Sequence, residues 1–398
     1  MEPTPFSKRK NWASHQKKWY GKWHVWLGLL AGTVIFIVSL TGTILVFRDE
    51  IDHDLNAKLY EVAAPKQAAK LSFQQIAEQL KRDHPTWELA FLFKPEGESD
   101  ENLAYHLRLK DYEKEIFVNP YTGQVTGTRL HDSYFIGIVL EIHRSLLIPV
   151  VGQYIVGTCS LILVILIISG LRLWIPKQWK HLKSRLTFRK NASFARQTYD
   201  LHQVLGFYFS PFILLIALTG AVITFLAILA PVMYLVSFEK PKSLDQILNS
   251  KSVYRQGAKP LPLDSAVATA LRALPADTNI EGVGFPLEQT GIYAVYSSSP
   301  HVTQTGDKNF IYIDQYSGKI NFNSAKDLPN TGKMYLNWVE PFHYGTFGGN
   351  ITRALAFVAS LIPSVLFVTG ILIWLPRWRG KKKKTRPAAS QSESQKIK

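Results

Sequence analysis

One cysteine, Cys159, stands in a chain of 398 residues. That count excludes disulfides, a Cys-ligated iron–sulfur cluster, a structural zinc site of the Cys type and the C-x-x-C-H attachment of a c-type haem. Methionine is nearly as scarce, with Met1, Met233 and Met334. No G-x-G-x-x-G stands on a strand–helix unit, so no nucleotide site is predicted. Charge is missing over long stretches. Residues 25–47, 145–171, 203–238 and 354–375 contain no Asp, Glu, Lys or Arg over 23, 27, 36 and 22 positions. Each run exceeds the ~20 apolar residues with which an α-helix crosses a hydrocarbon core. A soluble enzyme is excluded, and so is a β-barrel, whose strands read as short alternating segments. The first run is too long for the h-region of a signal peptide, and no small-x-small site follows it before Arg48-Asp49-Glu50. It reads as an uncleaved span.

The charge that is present is unevenly placed. Residues 1–22 hold six Lys/Arg and one acid, 177–198 hold seven and none, and 377–398 hold nine and one, against a total of +16 for the chain. A four-span arrangement puts all three segments on one side, which the positive-inside rule makes the cytoplasm. These runs are topology signals and lipid-headgroup contacts, and no nucleic acid is implied. The predicted fold class is a membrane α-helical bundle of four transmembrane helices with both termini cytoplasmic, the outer side being periplasm in a Gram-negative bacterium. Its divisions are a basic N-terminus (1–22), helix 1 (23–48), an outer domain (49–143), helix 2 (144–176), a basic loop (177–198), helix 3 (199–237), a second outer domain (238–343), helix 4 (344–376) and a basic tail (377–398).

The two halves repeat each other. HVWLGLL…SLTGTILVF from His24 matches HQVLGFY…ALTGAVITF from His202 at an offset of 178, which also pairs Gly28 with Gly206 and Thr41-Gly42 with Thr219-Gly220. At an offset of 200, His143, Gly170, Trp174 and Pro176 match His343, Gly370, Trp374 and Pro376. Between the spans, residues 71–85 and 261–275 both read as short amphipathic helices closed by Pro. FVNPYTGQV (117–125) and YIDQYSGKI (312–320) both read as two strands around a Gly-bearing turn. The architecture is a duplicated helix–α/β domain–helix unit, with two small outer α+β domains and an axis along the membrane normal.

Four of the eleven histidines occupy matched places in this repeat. His24 and His202 lie at the cytoplasmic ends of spans one and three, and His143 and His343 at the outer ends of spans two and four. The axis brings His24 to His202 and His143 to His343. Two His on facing helices are what a bis-His haem requires, and neither Cys nor a repeated Met offers another ligation. A bare Zn²⁺ or Cu²⁺ site is disfavoured, because no carboxylate stands in register. Gly28, Gly32, Gly206, Gly345, Gly348 and Gly349 leave room for a flat macrocycle. Glu141 and Glu340 either fix the tautomers of His143 and His343 or are solvated. Arg172, in the inner half of its span, either holds a haem propionate or snorkels to lipid phosphate. His15, His53, His84, His106, His131, His181 and His301 have no repeat partner and read as surface or core residues.

The H-x-x-LG…LTG…F spans, the H…G…TG-x-x-xW-x-P spans and the NPYTG and DQYSG hairpins together resemble the PepSY-associated transmembrane proteins over roughly residues 15–380. That group includes iron-regulated inner-membrane proteins and ferric-siderophore reductases. The resemblance implies outer domains of the PepSY kind and two b-type haems with His24, His202, His143 and His343 as axial ligands. It implies an oxidoreductase acting on a ferric siderophore or related chelate. The electron donor is then a separate quinol or a cytoplasmic flavin or NAD(P)H reductase, since the fused reductase domain of some relatives is lacking. From His24 to Phe47 is roughly 35 Å of helix, a long gap between haems at opposite ends. The alternative is a haem-free sensor or scaffold whose outer domains bind a protein or peptide. A transporter is disfavoured, because the spans lack buried acids.

Overall fold

Apolar runs of this length must satisfy their backbone groups internally, and helices do so. In the computed structural model, which describes residues 5–65, 69–95, 102–176, 178–238, 247, 249–299 and 307–384, they form a helical bundle beneath an antiparallel sheet. Met1, Lys177, His301 and the tail from residue 385 lie outside the described residues, as do the side chains of His15 and residues 381–384.

Helix α1 (Pro5–Leu45) contains the first apolar run, and a short helix α2 (Arg48–Leu55) follows it. Helix α5 (Val151–Trp174) carries the second run from residue 151 on, and α11 (Gly349–Lys384) contains the fourth. Among the described residues three segments are long and apolar enough to cross a membrane: Lys18–Leu45, Val151–Trp174 and Thr346–Pro376. The third run is broken. Helix α6 (Phe194–Tyr208) and helix α7 (Ser210–Thr224) meet at 64° and supply a fourth crossing if taken as one span. Pro211 explains the bend, because it has no N–H to give the Phe207 carbonyl four residues back. The Ser210 hydroxyl donates to that carbonyl instead, at 2.8 Å. Helix α8 (Leu226–Val236) continues the apolar run beyond Phe225.

The other two matched histidines stand on short helices, α4 (Phe135–Ser145) and α10 (Glu340–Tyr344). Helix α4 is cut off from α5 by a turn in which Leu146, Leu147 and Val150 have positive φ. Helix α10 is cut off from α11 by Gly345 and Gly349, at φ 76° and 69°. The glycines placed near His343 in the sequence thus serve the turn.

Between spans, helix α3 (Phe73–Asp83) precedes strands β1 (Leu89–Phe93), β2 (Tyr105–Leu109), β3 (Lys114–Val118) and β4 (Val125–Leu130). Helix α9 (Leu263–Ala273) precedes β5 (Asn279–Gly284), β6 (Ile292–Ser299), β7 (Asp307–Asp314) and β8 (Ile320–Asn323). Two separate domains are expected from the sequence, but the strands form one eight-stranded sheet in the order β4-β3-β2-β1-β5-β6-β7-β8. The join is the antiparallel pair β1–β5, with Phe91, Leu92 and Phe93 opposite Gly284, Val283 and Gly282. Each half would otherwise end in an unpaired edge strand, and pairing the two edges removes both. Helices α3 and α9 share one core on one face, where Ile76, Leu80, Leu107, Ile116, Val283, Val295, Ile311 and Ile313 are almost wholly buried. Their N-termini touch, with the Ser72 hydroxyl donating to Asp264 at 2.9 Å.

A buried ionic network ties this sheet to the bundle. The Arg129 guanidinium (β4) donates to both carboxylate oxygens of Asp52 (α2) at 2.8 and 2.7 Å and to Glu115 (β3) at 2.7 Å. Tyr60 donates to Asp52 at 2.5 Å, and Arg108 donates to Glu115 at 2.7 Å. The guanidinium also lies 3.5 Å from the ring centre of Tyr134, the residue that starts α4. Burial, with the carboxylates nearby, pushes the Tyr60 and Tyr134 hydroxyls up, that of Tyr134 to about 12.

His106, packed on Tyr60 and Phe117, is held below its ordinary value first by burial. Between that lowered value and the unfolded value of about 6.5 the unfolded chain binds more protons, so this histidine withdraws stability as pH falls through the window. A His106→Phe chain is expected to lose less thermal stability between pH 7 and pH 5 than the parent. Equal losses would remove His106 as a cause.

Candidate metal centre

The bundle brings the four matched histidines together in two pairs. The ring centres of His24 (α1) and His202 (α6) are 6.3 Å apart, and those of His143 (α4) and His343 (α10) are also 6.3 Å apart. The planes within a pair are turned by 87° and 55°.

Every one of the four rings is seated in the same way, on a Ser-Gly or Thr-Gly step of a neighbouring helix. His24 Nδ1 lies 2.9 Å from Ser169 Oγ on α5, and His202 Nδ1 lies 2.9 Å from Thr369 Oγ1 on α11. His143 Nδ1 lies 3.2 Å from Thr41 Oγ1 and 3.0 Å from the Val38 carbonyl on α1. His343 Nδ1 lies 3.0 Å from Thr219 Oγ1 and 3.2 Å from the Ile216 carbonyl on α7. The following residue is glycine each time, and the ring rests on it. A methyl group built on Gly42, Gly220, Gly170 or Gly370 would stand 2.9, 3.0, 3.2 or 3.6 Å from the Cε1 of His143, His343, His24 or His202.

The seat decides the tautomer. Each hydroxyl donates to a carbonyl of its own helix: Ser169 to Leu166, Thr369 to Val365, Thr41 to Ile37 and Thr219 to Leu215. Its oxygen is then left to accept, and a carbonyl can only accept, so Nδ1 carries the proton. Nε2 keeps a bare lone pair and has no hydrogen-bond partner among the described residues. A metal–imidazole bond of about 2 Å, added to about 1.2 Å from nitrogen to ring centre, puts the centres of two coaxial imidazoles a little over 6 Å apart around one ion. Both pairs have that separation.

Among the described residues no three His, Cys, Asp or Glu gather in a way that holds a metal. A pair alone is short of the three or four protein ligands of a zinc site, but it suits an iron whose four equatorial positions a porphyrin fills. Around His24 and His202 there is a cavity of about 770 Å³. Gly28, Gly32 and Gly206 line it as the sequence leads one to expect, together with Trp174, Phe207 and Phe367. Trp174 and Phe207 stack at 3.9 Å.

Arg172 is not among the residues lining that cavity. Arg185, Lys22, Tyr199 and Gln203 are. Glu141 pairs with Arg144 at 2.6 Å and Glu340 with Lys308 at 3.4 Å, and neither bonds a paired histidine. Two or three residues along a helix from its histidine, each carboxylate points elsewhere, and Ser or Thr does the orienting. None of His53, His84, His106, His131 and His181 makes a ring contact or hydrogen bond with either pair. The signal that sequence reasoning left unused was the small hydroxyl residue before each repeated glycine, Ser169 and Thr369 standing in the same register as Thr41 and Thr219.

The pairs are closer together than the span ends. His143 is level with Val38 and Thr41 on α1, roughly 21–26 Å from His24 along the helix axis. Phe36 lies between them and packs on Phe367, ring centres 5.8 Å apart.

The family model described as the PepSY-associated TM region matches residues 22–377. No curated protein matches the chain.

Proposed function

We propose, from the premise that the chain belongs to the family of the PepSY-associated TM region, that it is a b-type haem oxidoreductase of the bacterial inner membrane. Its substrate is a ferric siderophore or related chelate, reached on the side of the sheet, and its basic loop and termini face the cytoplasm. The observation that carries this reading is the spacing of 6.3 Å in both histidine pairs, with every Nδ1 hydrogen-bonded away from its partner. One duplication event accounts for both sets of seats.

Haem held by these pairs would supply an iron that exchanges one electron. The chain's own residues do the rest. Ser169, Thr369, Thr41 and Thr219 hold the Nδ1 protons and so aim Nε2. Apolar residues from α1, α5, α6 and α11 keep water from the pair on the basic side. His24 and His202 would hold the haem nearer the donor, a separate quinol or a cytoplasmic flavin or NAD(P)H reductase, and His143 and His343 the haem nearer the chelate. Reduction takes one electron per Fe³⁺, and a chelator with hard oxygen donors holds the softer Fe²⁺ far less tightly. The iron is released and the chelator survives.

The test is a reduced-minus-oxidised visible spectrum of the purified chain with a pyridine haemochrome count. Two b-type haems per chain are expected. None, after expression with ample haem, would overturn the proposal and favour a haem-free scaffold. The glycine seats give a graded check. Gly42→Ala and Gly220→Ala are expected to displace their rings and weaken the low-spin spectrum of one haem. Gly370→Ala, whose added methyl makes ordinary contact at 3.6 Å, is expected to leave both intact. Equal losses from all three would mean that the seats do not set the rings.

A further inference from the structure

The cavity around His24 and His202 is apolar over most of its wall and cationic at one end. Of the residues that line it, Lys22 and Arg185 alone are charged, and no Asp or Glu joins them. Arg185 belongs to the short helix Leu182–Leu186 in the loop between α5 and α6. It is braced from both sides by Gln203, the neighbour of His202. The guanidinium donates to Gln203 Oε1 at 3.1 Å, and Gln203 Nε2 donates to the Arg185 carbonyl at 3.1 Å. One of five guanidinium N–H groups is used in that brace. The others have no hydrogen-bond partner among the described residues. Lys22, two residues before His24 on α1, lines the same cavity.

We infer that Arg185, with Lys22, is the carboxylate anchor of this cavity and takes the acidic edge of a flat apolar ligand whose centre lies between His24 and His202. This rests on the haem reading and deepens it, because it assigns the propionates to Arg185 and Lys22 in place of Arg172. A planar fork suits a carboxylate in two-point contact, and the Gln203 brace holds that fork beside the axial ligand. An anionic lipid headgroup shares the charge but lacks the flat body.

The experiment is a Soret titration of the full chain in the His343→Ala background, where only the pair at the basic loop remains, with haem and with haem dimethyl ester. The ester keeps the macrocycle and the iron and removes both negative charges. The parent is expected to bind haem about tenfold more tightly than the ester. Arg185→Gln is expected to remove most of that preference while binding the ester as the parent does, Lys22→Gln to remove a smaller part, and Arg185→Lys to restore some of it. A variant that weakens haem and ester alike, or that keeps the full preference, would overturn the anchor while leaving haem binding in place. So would competition of anionic lipid vesicles with haem that Arg185→Gln abolishes while the ester preference stays. Failure of the parent to bind either compound would sink the haem reading, and the anchor with it.

Discussion

A His143→Ala chain is expected to carry one b-type haem where the parent carries two, and to lose reduction of an external ferric chelate almost completely. On the proposed reading the imidazole would be one of two protein ligands to its haem iron, and among the described residues neither a free carboxylate nor a thiol stands ready to replace it. Glu141 is engaged with Arg144 and the Ser145 hydroxyl, and Cys159 is buried on α5 among Ala31 and Ile35. Loss of a ligand leaves His343 facing a void, with its seat on Thr219 unchanged. The remaining low-spin haem should have the properties of the His24/His202 site and still accept electrons from the donor. His24→Ala is the mirror experiment. It should spare the haem on the sheet side, which would then be reducible by dithionite but not by the physiological donor. Haem counting, the difference spectrum and donor-driven reduction together decide the matter. Two intact low-spin haems in either variant would break the pairing.

Arg129→Met is expected to be the most destabilising single substitution outside the bundle. Its side chain, that of Asp52 and that of Glu115 are 10, 8 and 9% exposed. Removing the cation leaves the Asp52 carboxylate buried with neutral donors only, from Tyr60 and Asn56, while Glu115 keeps Arg108. Breaking a buried pair in this way costs about 3–5 kcal/mol, because the charge left behind is still out of water. Thermal unfolding should move down by roughly 10 °C. The loss should reach the pair on the sheet side, since Arg129 also packs on Tyr134 at the start of the helix that bears His143. Combining Arg129→Met with Asp52→Asn should recover much of the stability, because the stranded charge goes with the cation. A melting temperature unchanged by Arg129→Met would show the network to be neutral.

How much of this is visible in the residues differs from place to place. The apolar runs and the offsets of 178 and 200 are local or self-referential signals, and they suffice for the spans and for the choice of four histidines. The seats are another matter. Gly42 and His143 are far apart in the chain, and no period within one helix says that one lies on the other. The turn before α5 left little trace beyond Pro149. Leu146, Leu147 and Val150 take positive φ without the glycine that usually announces it, so 145–171 reads as one continuous helix. Its counterpart at Gly345 carries the expected residue. Folding α4 back along α1 is what shortens the gap between pairs from the roughly 35 Å of a full span. The joining of β1 to β5 was hidden too, because alternation identifies a strand but not the partner of its open edge.

That join bears on what the molecule can do as a machine. A carrier that alternates its access swings one lobe against the other, and each swing needs a seam that parts cheaply. Here the seam on the sheet side is a hydrogen-bonded ladder with Phe91 and Phe93 laid across Gly284 and Gly282, and the helices α3 and α9 bolt the two lobes together above it. Parting it would expose both open edges and split a common core. The two halves therefore behave as a single stator. The separation of the two histidine pairs is then fixed, and on the proposed haem reading the length of the electronic path would stay constant while a ferric chelate came and went at the surface.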